Sequence, residues 1–217
     1  MVDPRTSAPA PRFLALGDSY TIGEGVEPHG RWPVQLAAAL RAQGLPLGEP
    51  RIIATTGWTT DELDAGIDAA AAQAPIDDGH ALVSLLIGVN NQYRGRPLDE
   101  VRPQFTALLA RAAGFAAGAP RRGARLGVPD WGVTPFAFAQ SRDAALVGAQ
   151  VGAVNAVCRE EGRRAGAHWG ATAPGRRARR GEAEMLVDDG LHPSAAMYAL
   201  WSALAQPAAR AALQAAA

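Results

Sequence analysis

Short apolar segments alternate along this chain with longer segments of helical periodicity. The apolar segments are residues 13–16, 51–55 and 81–87, and the segments that predict helices are residues 33–43, 61–74 and 98–117. A chain that alternates strands with helices pairs its strands in parallel. Residues 82–87 are apolar at nearly every position, as in a strand that is covered on both faces. We therefore predict a doubly wound α/β fold, with helices on both faces of a parallel sheet.

The second half of this pattern is weaker. The remaining predicted elements are strands near residues 124–128 and 168–172, a helix over residues 144–164 and a last helix after Pro193. Arg125 and Gly127 interrupt the fourth strand, and the fifth has little apolar character. One hypothesis is that short stretches near Gly123 and over residues 170–181 are read in a shifted frame of GC-rich DNA. The alternatives are a basic loop at residues 176–180 that contacts an anionic partner, and a solvated loop without function.

The length of the chain is typical of one domain. A core of 217 residues buries most of its apolar surface without division, and no repeat or shift in composition marks a boundary. Three prolines within residues 1–12 predict a flexible arm there, followed by a single domain over residues 13–217. The longest apolar run, residues 81–89, is too short to cross a bilayer, and the first residues lack the apolar stretch of a signal peptide. We therefore expect a cytoplasmic protein without a membrane span.

Charge and residue usage exclude several classes of function. The chain carries 21 basic and 21 acidic residues, so no net charge draws it to nucleic acid, and the expected partner is a small molecule. Every basic residue is arginine, which excludes Schiff-base chemistry and the lysine of phosphate-binding loops. The single cysteine, Cys158, is predicted to be a buried apolar residue. No histidines or cysteines stand at the spacing of a metal site, so no metal is expected.

Three candidate segments follow the predicted strands. In an open parallel sheet, ligands bind at the carboxyl ends of the strands, and here these ends carry residues 17–19, 55–57 and 88–90. The glycine of the first segment permits a tight turn that would expose Ser19 as a nucleophile, although a lone serine in this setting is more often a cap or turn residue. The Gly57 N–H and the Asn90 side chain are suitable donors for the oxygen that becomes negative during acyl transfer. Glycine and asparagine are also ordinary turn formers.

The fourth candidate segment precedes the last predicted helix. Asp189 stands three residues before His192, a spacing that suits a carboxylate that orients an imidazole. Histidine is well suited to accept a serine proton near neutral pH, and a carboxylate on its other nitrogen fixes the tautomer. Asp188 is the neighbour to exclude, and the other three histidines lack such a partner in sequence. We therefore predict that His192 is a general base and Asp189 its orienting carboxylate.

Taken in order, these four segments resemble the motifs of the SGNH hydrolases, also called the GDSL esterase and lipase family, across nearly the whole chain. The resemblance implies a catalytic triad of Ser19, Asp189 and His192. It also implies an oxyanion hole formed by the Ser19 N–H, Gly57 and Asn90. The fold that it implies is a flavodoxin-like three-layer α/β/α sandwich of about five parallel strands. It further implies an acyl-enzyme intermediate and no metal or organic cofactor.

The predicted activity is the hydrolysis of small carboxylic esters. We expect esters of short acyl chains, such as acetyl esters, to be preferred, because the chain is small and has no long insertion that would form a lid. The same triad would serve an acyltransferase or a thioesterase, and the sequence does not separate these or specify the oligomeric state. Asn91, Tyr93 and the region of Trp131 are predicted to line the cleft.

A function from another class is also compatible with the first segment. In a flavodoxin-like module that binds a phosphate or a cofactor, Ser19, Tyr20 and Thr21 would cradle the phosphate after the first strand. Such a module would not hydrolyse esters. It would also have no use for Asp189 and His192.

Overall fold

The computed structural model describes residues 10–170 and 183–214, and within them the strands form one sheet. The strands are β1 (Phe13–Gly17), β2 (Pro50–Ala54), β3 (Leu82–Leu86), β4 (Gly123–Leu126) and β5 (His168–Gly170). They lie in the order β2-β1-β3-β4-β5, and all neighbours pair in parallel. This is the flavodoxin-like order, and it confirms the predicted doubly wound sheet.

Helices cover both faces of the sheet. They are α1 (Ser19–Ile22), α2 (Trp32–Ala42), α3 (Thr60–Gln73), α4 (Val89–Tyr93), α5 (Leu98–Phe115), α6 (Pro135–Ala139), α7 (Ala144–Arg164) and α8 (Ala195–Gln214), with short 3-10 helices at Pro28–Gly30, Pro120–Arg122, Trp131–Val133 and Ala183–Met185. Helices α2 and α8 pack together on one face, and α3, α5 and α7 form a layer on the other. The fold is therefore the expected three-layer α/β/α sandwich. None of the helices in the described part of the chain has the length and apolar character that crossing a bilayer requires.

The predicted strands and long helices agree with the structure to within about two residues at their described ends. For β1 and β3 the agreement arises because both strands are buried along their whole length. The short helices α1, α4 and α6 have no periodic signal in the sequence, because four or five residues span little more than one helical turn.

A buried arginine lies in the strand whose sequence pattern is weak. Arg125 in β4 is 2% exposed, and its guanidinium donates hydrogen bonds to the carbonyl oxygens of Ala167 and His168. Gly162 in α7 provides the necessary space, because a Cβ there would lie 2.2 Å from the guanidinium carbon. Burial lowers the pKa of Arg125 to about 10. The strand pairs with both β3 and β5. The Nε and Nη1 of Arg125 are buried without a hydrogen-bond partner among the described residues.

Two sequence predictions lie wholly or largely outside the described residues. The hypotheses for the arginine-rich segment concern residues 170–181, of which all but Gly170 lie outside the description. Residues 1–9 of the predicted arm, 1–12, lie outside it as well. Where the description begins, the carbonyl of Pro11 accepts a hydrogen bond from the Gly48 N–H at 2.8 Å. The carbonyl of Arg12 accepts one from the Ala81 N–H at 3.0 Å. The single domain over residues 13–217 stays a prediction.

Candidate active site

The segments that follow β1, β2 and β3 meet at one edge of the sheet. Strand β1 lies between the other two, and Gly17 at its end pairs with Ala54 on one side and Leu86 on the other. The strand order reverses here, and this is where open α/β sheets bind ligands. A cavity of about 180 Å³ lies at this point, lined by Ser19, Tyr20, Thr56, Gly57, Val89, Asn90, Tyr93, Trp131, Phe136, Leu191 and His192.

Ser19 begins the four-residue helix α1 directly after β1. Asp18 caps this helix, because its Oδ1 accepts a hydrogen bond from the Tyr20 N–H at 3.0 Å. No described residue accepts a hydrogen bond from the Ser19 N–H, which is one of the donors that a helix leaves unused at its first turn. The Ser19 side chain borders the cavity and is 4% exposed. A negatively charged oxygen in the cavity would therefore find this N–H available.

Gly57 and Asn90 border the cavity from the loops after β2 and β3. Gly57 has a left-handed backbone conformation with φ of 87°, which favours glycine. Its carbonyl accepts a hydrogen bond from Arg94 at 2.6 Å, and Arg94 is also paired with Glu62, so the loop is held in place. The Asn90 Nδ2 donates to the Trp58 carbonyl at 2.9 Å. Since an amide nitrogen has two hydrogens, one stays available for a ligand.

Asp189 and His192 form a compact bonded pair next to the cavity. The Nδ1 of His192 lies 2.5 Å from the Oδ2 of Asp189. The other oxygen of Asp189 accepts the backbone N–H groups of Leu191 at 2.7 Å and of His192 at 2.9 Å. Burial opposes ionisation of this carboxyl, but the hydrogen bonds from His192 and Leu191 outweigh it and hold the pKa of Asp189 below its ordinary value. The neighbouring Asp188 is exposed and takes no part in these bonds.

Close packing brings the loop after α1 against the segment that carries His192. Gly30 borders Ala195 so closely that a Cβ on the glycine would lie 2.9 Å from the alanine Cβ. Gly25 borders Val187 in the same way, at 2.8 Å. The Gln35 side chain joins the two parts by donating to the carbonyls of Gly30 at 2.7 Å and Ala195 at 2.9 Å. These contacts fix the distance between the segment of Ser19 and the segment of His192.

Ser19 and His192 line the same cavity, but no hydrogen bond joins their side chains in the described structure. The ring of Tyr20, the residue after Ser19, packs against the His192 ring at 5.4 Å between centroids. Among the described residues, no hydrogen bond joins the Ser19 hydroxyl to the imidazole. Such bonds are often long in a free enzyme and shorten when substrate binds. The arrangement is therefore that of a serine and a base positioned on either side of a reacting group.

Three aromatic side chains, Tyr93, Trp131 and Phe136, form what we call the aromatic wall of the cavity. Their rings meet edge to face, with centroids 5.3 Å apart between Tyr93 and Trp131 and 6.3 Å between Trp131 and Phe136. The predictions for Tyr93 and Trp131 are thus confirmed, and Phe136 is an addition. The prediction for Asn91 is wrong, because this residue is fully buried. Its amide instead holds the backbone N–H and the hydroxyl of Thr60.

Other kinds of site fit the structure less well. Thr21 is fully buried and does not border the cavity, so it does not present its hydroxyl to a phosphate as the alternative module would require. Cys158 is buried as predicted, and burial raises the pKa of its thiol to about 12, so it is not a reactive thiolate. Within residues 10–170 and 183–214, no group of three or more His, Cys, Asp or Glu side chains is placed to hold a metal ion.

A second carboxyl close to Ser19 is expected to make stability depend on pH. Asp18 is fully buried, and its Oδ2 has no hydrogen-bond partner among the described residues. Burial raises the pKa of Asp18 from 3.8 to about 7, against the opposing hydrogen bonds from the backbone N–H groups of Tyr20 and of Asp18 itself. Between about pH 4 and about pH 7 the folded chain therefore keeps a proton that the unfolded chain has lost. The free energy of unfolding contributed by this group falls as the pH rises through that range.

The variant Asp18→Asn removes this titration while keeping an oxygen for the Tyr20 N–H. We expect its free energy of unfolding, relative to that of the wild type, to increase between about pH 4 and about pH 7 by up to about 4 kcal/mol, and to stay level at higher pH. Denaturant titrations of both proteins over a series of pH values measure this difference. A difference that does not change with pH would contradict a raised pKa at Asp18.

Comparisons with known proteins bear on the family and the fold of this chain. The family model for the GDSL-like lipase/acylhydrolase family matches residues 15–200. No curated protein matches the sequence significantly. At these identities the structural similarities, given next, show the fold alone. The solved structure of TesA matches with a TM-score of 0.68 and 18% identity, over 95% of this chain and 99% of that chain. The psychrotrophic esterase EstA from Pseudoalteromonas sp. matches with a TM-score of 0.67 and 16% identity, over 92% of this chain and 96% of that chain. The lipase/acylhydrolase from Enterococcus faecalis matches with a TM-score of 0.63 and 19% identity, over 89% of this chain and 92% of that chain.

Proposed function

The chain belongs to the GDSL-like lipase/acylhydrolase family and is an SGNH-type hydrolase, and from this premise we propose that it hydrolyses carboxylic esters through an acyl-enzyme intermediate on Ser19. The observation that carries the proposal is a single cavity bordered by Ser19, by His192 and by donors from the neighbouring loops. The imidazole is bonded through Nδ1 to Asp189, which leaves Nε2 as the nitrogen that can accept a proton. These are the parts that acyl transfer to a serine requires.

In the first step, the Ser19 Oγ attacks the ester carbonyl while His192 accepts the hydroxyl proton. The charged Asp189 stabilises the resulting imidazolium and holds the ring in the correct tautomer. The carbonyl oxygen becomes negative and accepts hydrogen bonds from the N–H groups of Ser19 and Gly57 and from the Asn90 amide. Each of these donors contributes about 3 kcal/mol to the stability of the transition state. Collapse of the tetrahedral intermediate then breaks the ester bond, and the leaving alcohol takes the proton from His192.

In the second step, water replaces the alcohol. His192 accepts a proton from the water as its oxygen attacks the acyl carbon, and the same three donors hold the oxyanion. The proton returns to the Ser19 oxygen when the acyl bond breaks, so the free acid leaves and the enzyme is restored. The base is therefore used twice, and no second base is required.

The size of the cavity predicts a preference for short acyl chains. The cavity of about 180 Å³ must hold the reacting carbonyl as well as the substituent, and the aromatic wall closes part of it. We expect kcat/KM for acetyl to butyryl esters of one chromogenic alcohol to exceed that for the decanoyl ester by at least about tenfold. All esters are assayed below the concentration at which they aggregate. A rate that rises with chain length up to the decanoyl ester would contradict this expectation.

The same ester series tests the proposed function and separates it from acyl transfer. Esterase activity predicts that free acid is released with the chromogenic alcohol at a ratio near unity in plain buffer. When a short alcohol such as methanol is added, an acyltransferase would convert most acyl groups into the new ester, whereas an esterase would still release mainly acid. A matched thioester in the same series measures the thioesterase alternative. Absence of hydrolysis across the whole series would overturn the proposed function.

A further inference from the structure

A positively charged side chain stands beside the aromatic wall. The guanidinium carbon of Arg142 lies 5.4 Å from the centre of the Tyr93 ring and 6.0 Å from that of the Trp131 ring. Both rings line the cavity, whereas Arg142 is exposed between α6 and α7. The charge of Arg142 is therefore located at the rim of the cavity rather than inside it.

Arg142 has no carboxylate partner in the part of the chain that the structure describes. The arginines that form ion pairs there are Arg12, Arg41, Arg94, Arg96, Arg102, Arg111 and Arg164. The acidic residue next to Arg142 is Asp143, and its Oδ1 accepts the backbone N–H groups of Ala145 and Leu146 at the start of α7. The acid nearest in sequence is thus used as a helix cap.

The position of Arg142 against two aromatic rings favours the binding of an anion. Its guanidinium carbon lies within 6.0 Å of both ring centres, a distance at which cation–π attraction holds the charge in place. The N–H groups lie in the plane of the guanidinium and point away from its faces, and two of them match the two oxygens of a carboxylate or a phosphate. The rings also restrict the long side chain before any ligand arrives, so less conformational entropy is lost on binding.

We propose that Arg142 determines specificity, by selecting esters that carry a second, anionic group a few atoms from the ester carbonyl. The inference rests on the proposed function of the cavity. With the ester between Ser19 and His192, the apolar part of the substrate lies along the aromatic wall. Its far end then reaches the rim, where a carboxylate or phosphate accepts hydrogen bonds from Arg142. The anionic group belongs to the acyl part or to the alcohol part of the ester, and the experiment distinguishes the two.

Two pairs of substrates test the proposal. The acyl pair is the hydrogen succinate and the butyrate of 4-methylumbelliferone, which differ chiefly by the terminal carboxylate. The alcohol pair is 4-acetoxybenzoate and its methyl ester. For each pair the measured quantity is the preference ratio, which is kcat/KM for the anionic ester divided by that for the neutral ester. In at least one pair we expect Arg142→Gln to lower this ratio by about tenfold.

Two further variants make the result specific to Arg142. Arg142→Lys keeps the charge but loses the paired donors, so its ratio is expected to fall between those of the wild type and Arg142→Gln. Arg159 is the matched control, because its guanidinium also stacks on an aromatic ring, that of Trp169 at 5.1 Å, and neither residue lines the cavity. Arg159→Gln should leave both ratios unchanged. The wild-type preference should also weaken as salt is added, since the rim is exposed to solvent.

Several outcomes would overturn the proposal. One is an unchanged preference ratio in both pairs for Arg142→Gln. If the ratio is unchanged because kcat/KM falls equally for anionic and neutral esters, the result would assign Arg142 to support of the aromatic wall. A binding measurement keeps the proposal separate from the proposed function. If the wild type hydrolyses no ester, calorimetric titration with glutarate still compares the wild type with Arg142→Gln. Binding that does not depend on Arg142 would then reject anion recognition at the rim.

Discussion

Replacing Ser19 with alanine is expected to lower kcat/KM for ester hydrolysis by about 10⁵-fold, to near the limit of detection. The Ser19 Oγ is the atom that forms the acyl bond in the proposed mechanism, and alanine has no atom to replace it. The change removes a single oxygen from a side chain that borders a cavity, so the fold is preserved. Initial rates with a short-chain chromogenic ester measure the loss. Thermal unfolding of the variant should match that of the wild type.

Thr56 provides the control for this experiment, because it is a second aliphatic hydroxyl residue on the same cavity. Its hydroxyl donates a hydrogen bond to Glu24, and the proposed mechanism gives it no role. Thr56→Ala should therefore keep most of the wild-type rate. Labelling with a fluorophosphonate adds a covalent readout, since the label should be found on the peptide that contains Ser19. Wild-type rates in Ser19→Ala would refute the assignment of the nucleophile.

The second large effect is expected from Asp189→Asn. The asparagine keeps an oxygen for the backbone N–H groups of Leu191 and His192, so the local turn is retained. Its amide nitrogen, however, takes the place of the oxygen that contacts the His192 Nδ1. The imidazole then accepts at Nδ1 and carries its hydrogen on Nε2, where it cannot take a proton from Ser19. A loss of about 10³- to 10⁴-fold in kcat/KM is expected from this tautomer exchange.

Asp188→Asn is the matched control, because it makes the same chemical change at the adjacent position. Asp188 is exposed and lies outside the bonds to His192, so its variant should hydrolyse esters at close to the wild-type rate. Both variants are compared at one pH with the same short-chain ester. Equal losses in the two variants, or a loss confined to Asp188→Asn, would show that the orienting carboxylate has been assigned to the wrong residue.

Most of the fold was predictable because its signals are local. Burial on both faces makes β1 and β3 apolar at nearly every position, and this pattern is visible without knowledge of any contact. The weak signal of β4 has a different origin. Arg125 is tolerated there because Gly162, in another element, leaves room for its side chain. Such compensation between distant residues is not visible in the sequence of the strand itself.

In the candidate site, too, some residues were predictable from the sequence and others were not. Ser19 and Asn90 were found because each follows a predicted strand, and the rule for parallel sheets then places them at one edge. Phe136 and Arg142 lie on α6 and in the loop after it, where the sequence has no strand end or recognisable motif to mark them. For Asn91 the sequence instead predicted a place in the cleft that the residue does not have. It follows the same strand as Asn90, but the helical turn of α4 directs it into the core, to Thr60.

The bonds of Asp189 to His192 and to its backbone also bear on how the enzyme assembles. This contact closes a loop of three residues and carries a small entropic cost, whereas Ser19 and His192 are about 170 residues apart along the chain. During folding, His192 and Asp189 can therefore associate early, because their contact lies within one turn of the chain. Ser19 joins them only after the chain has completed its parallel strand pairings, which are slow because they are non-local. Recovery of the proposed ester hydrolysis would thus report completion of the whole sheet rather than formation of the Asp189–His192 pair.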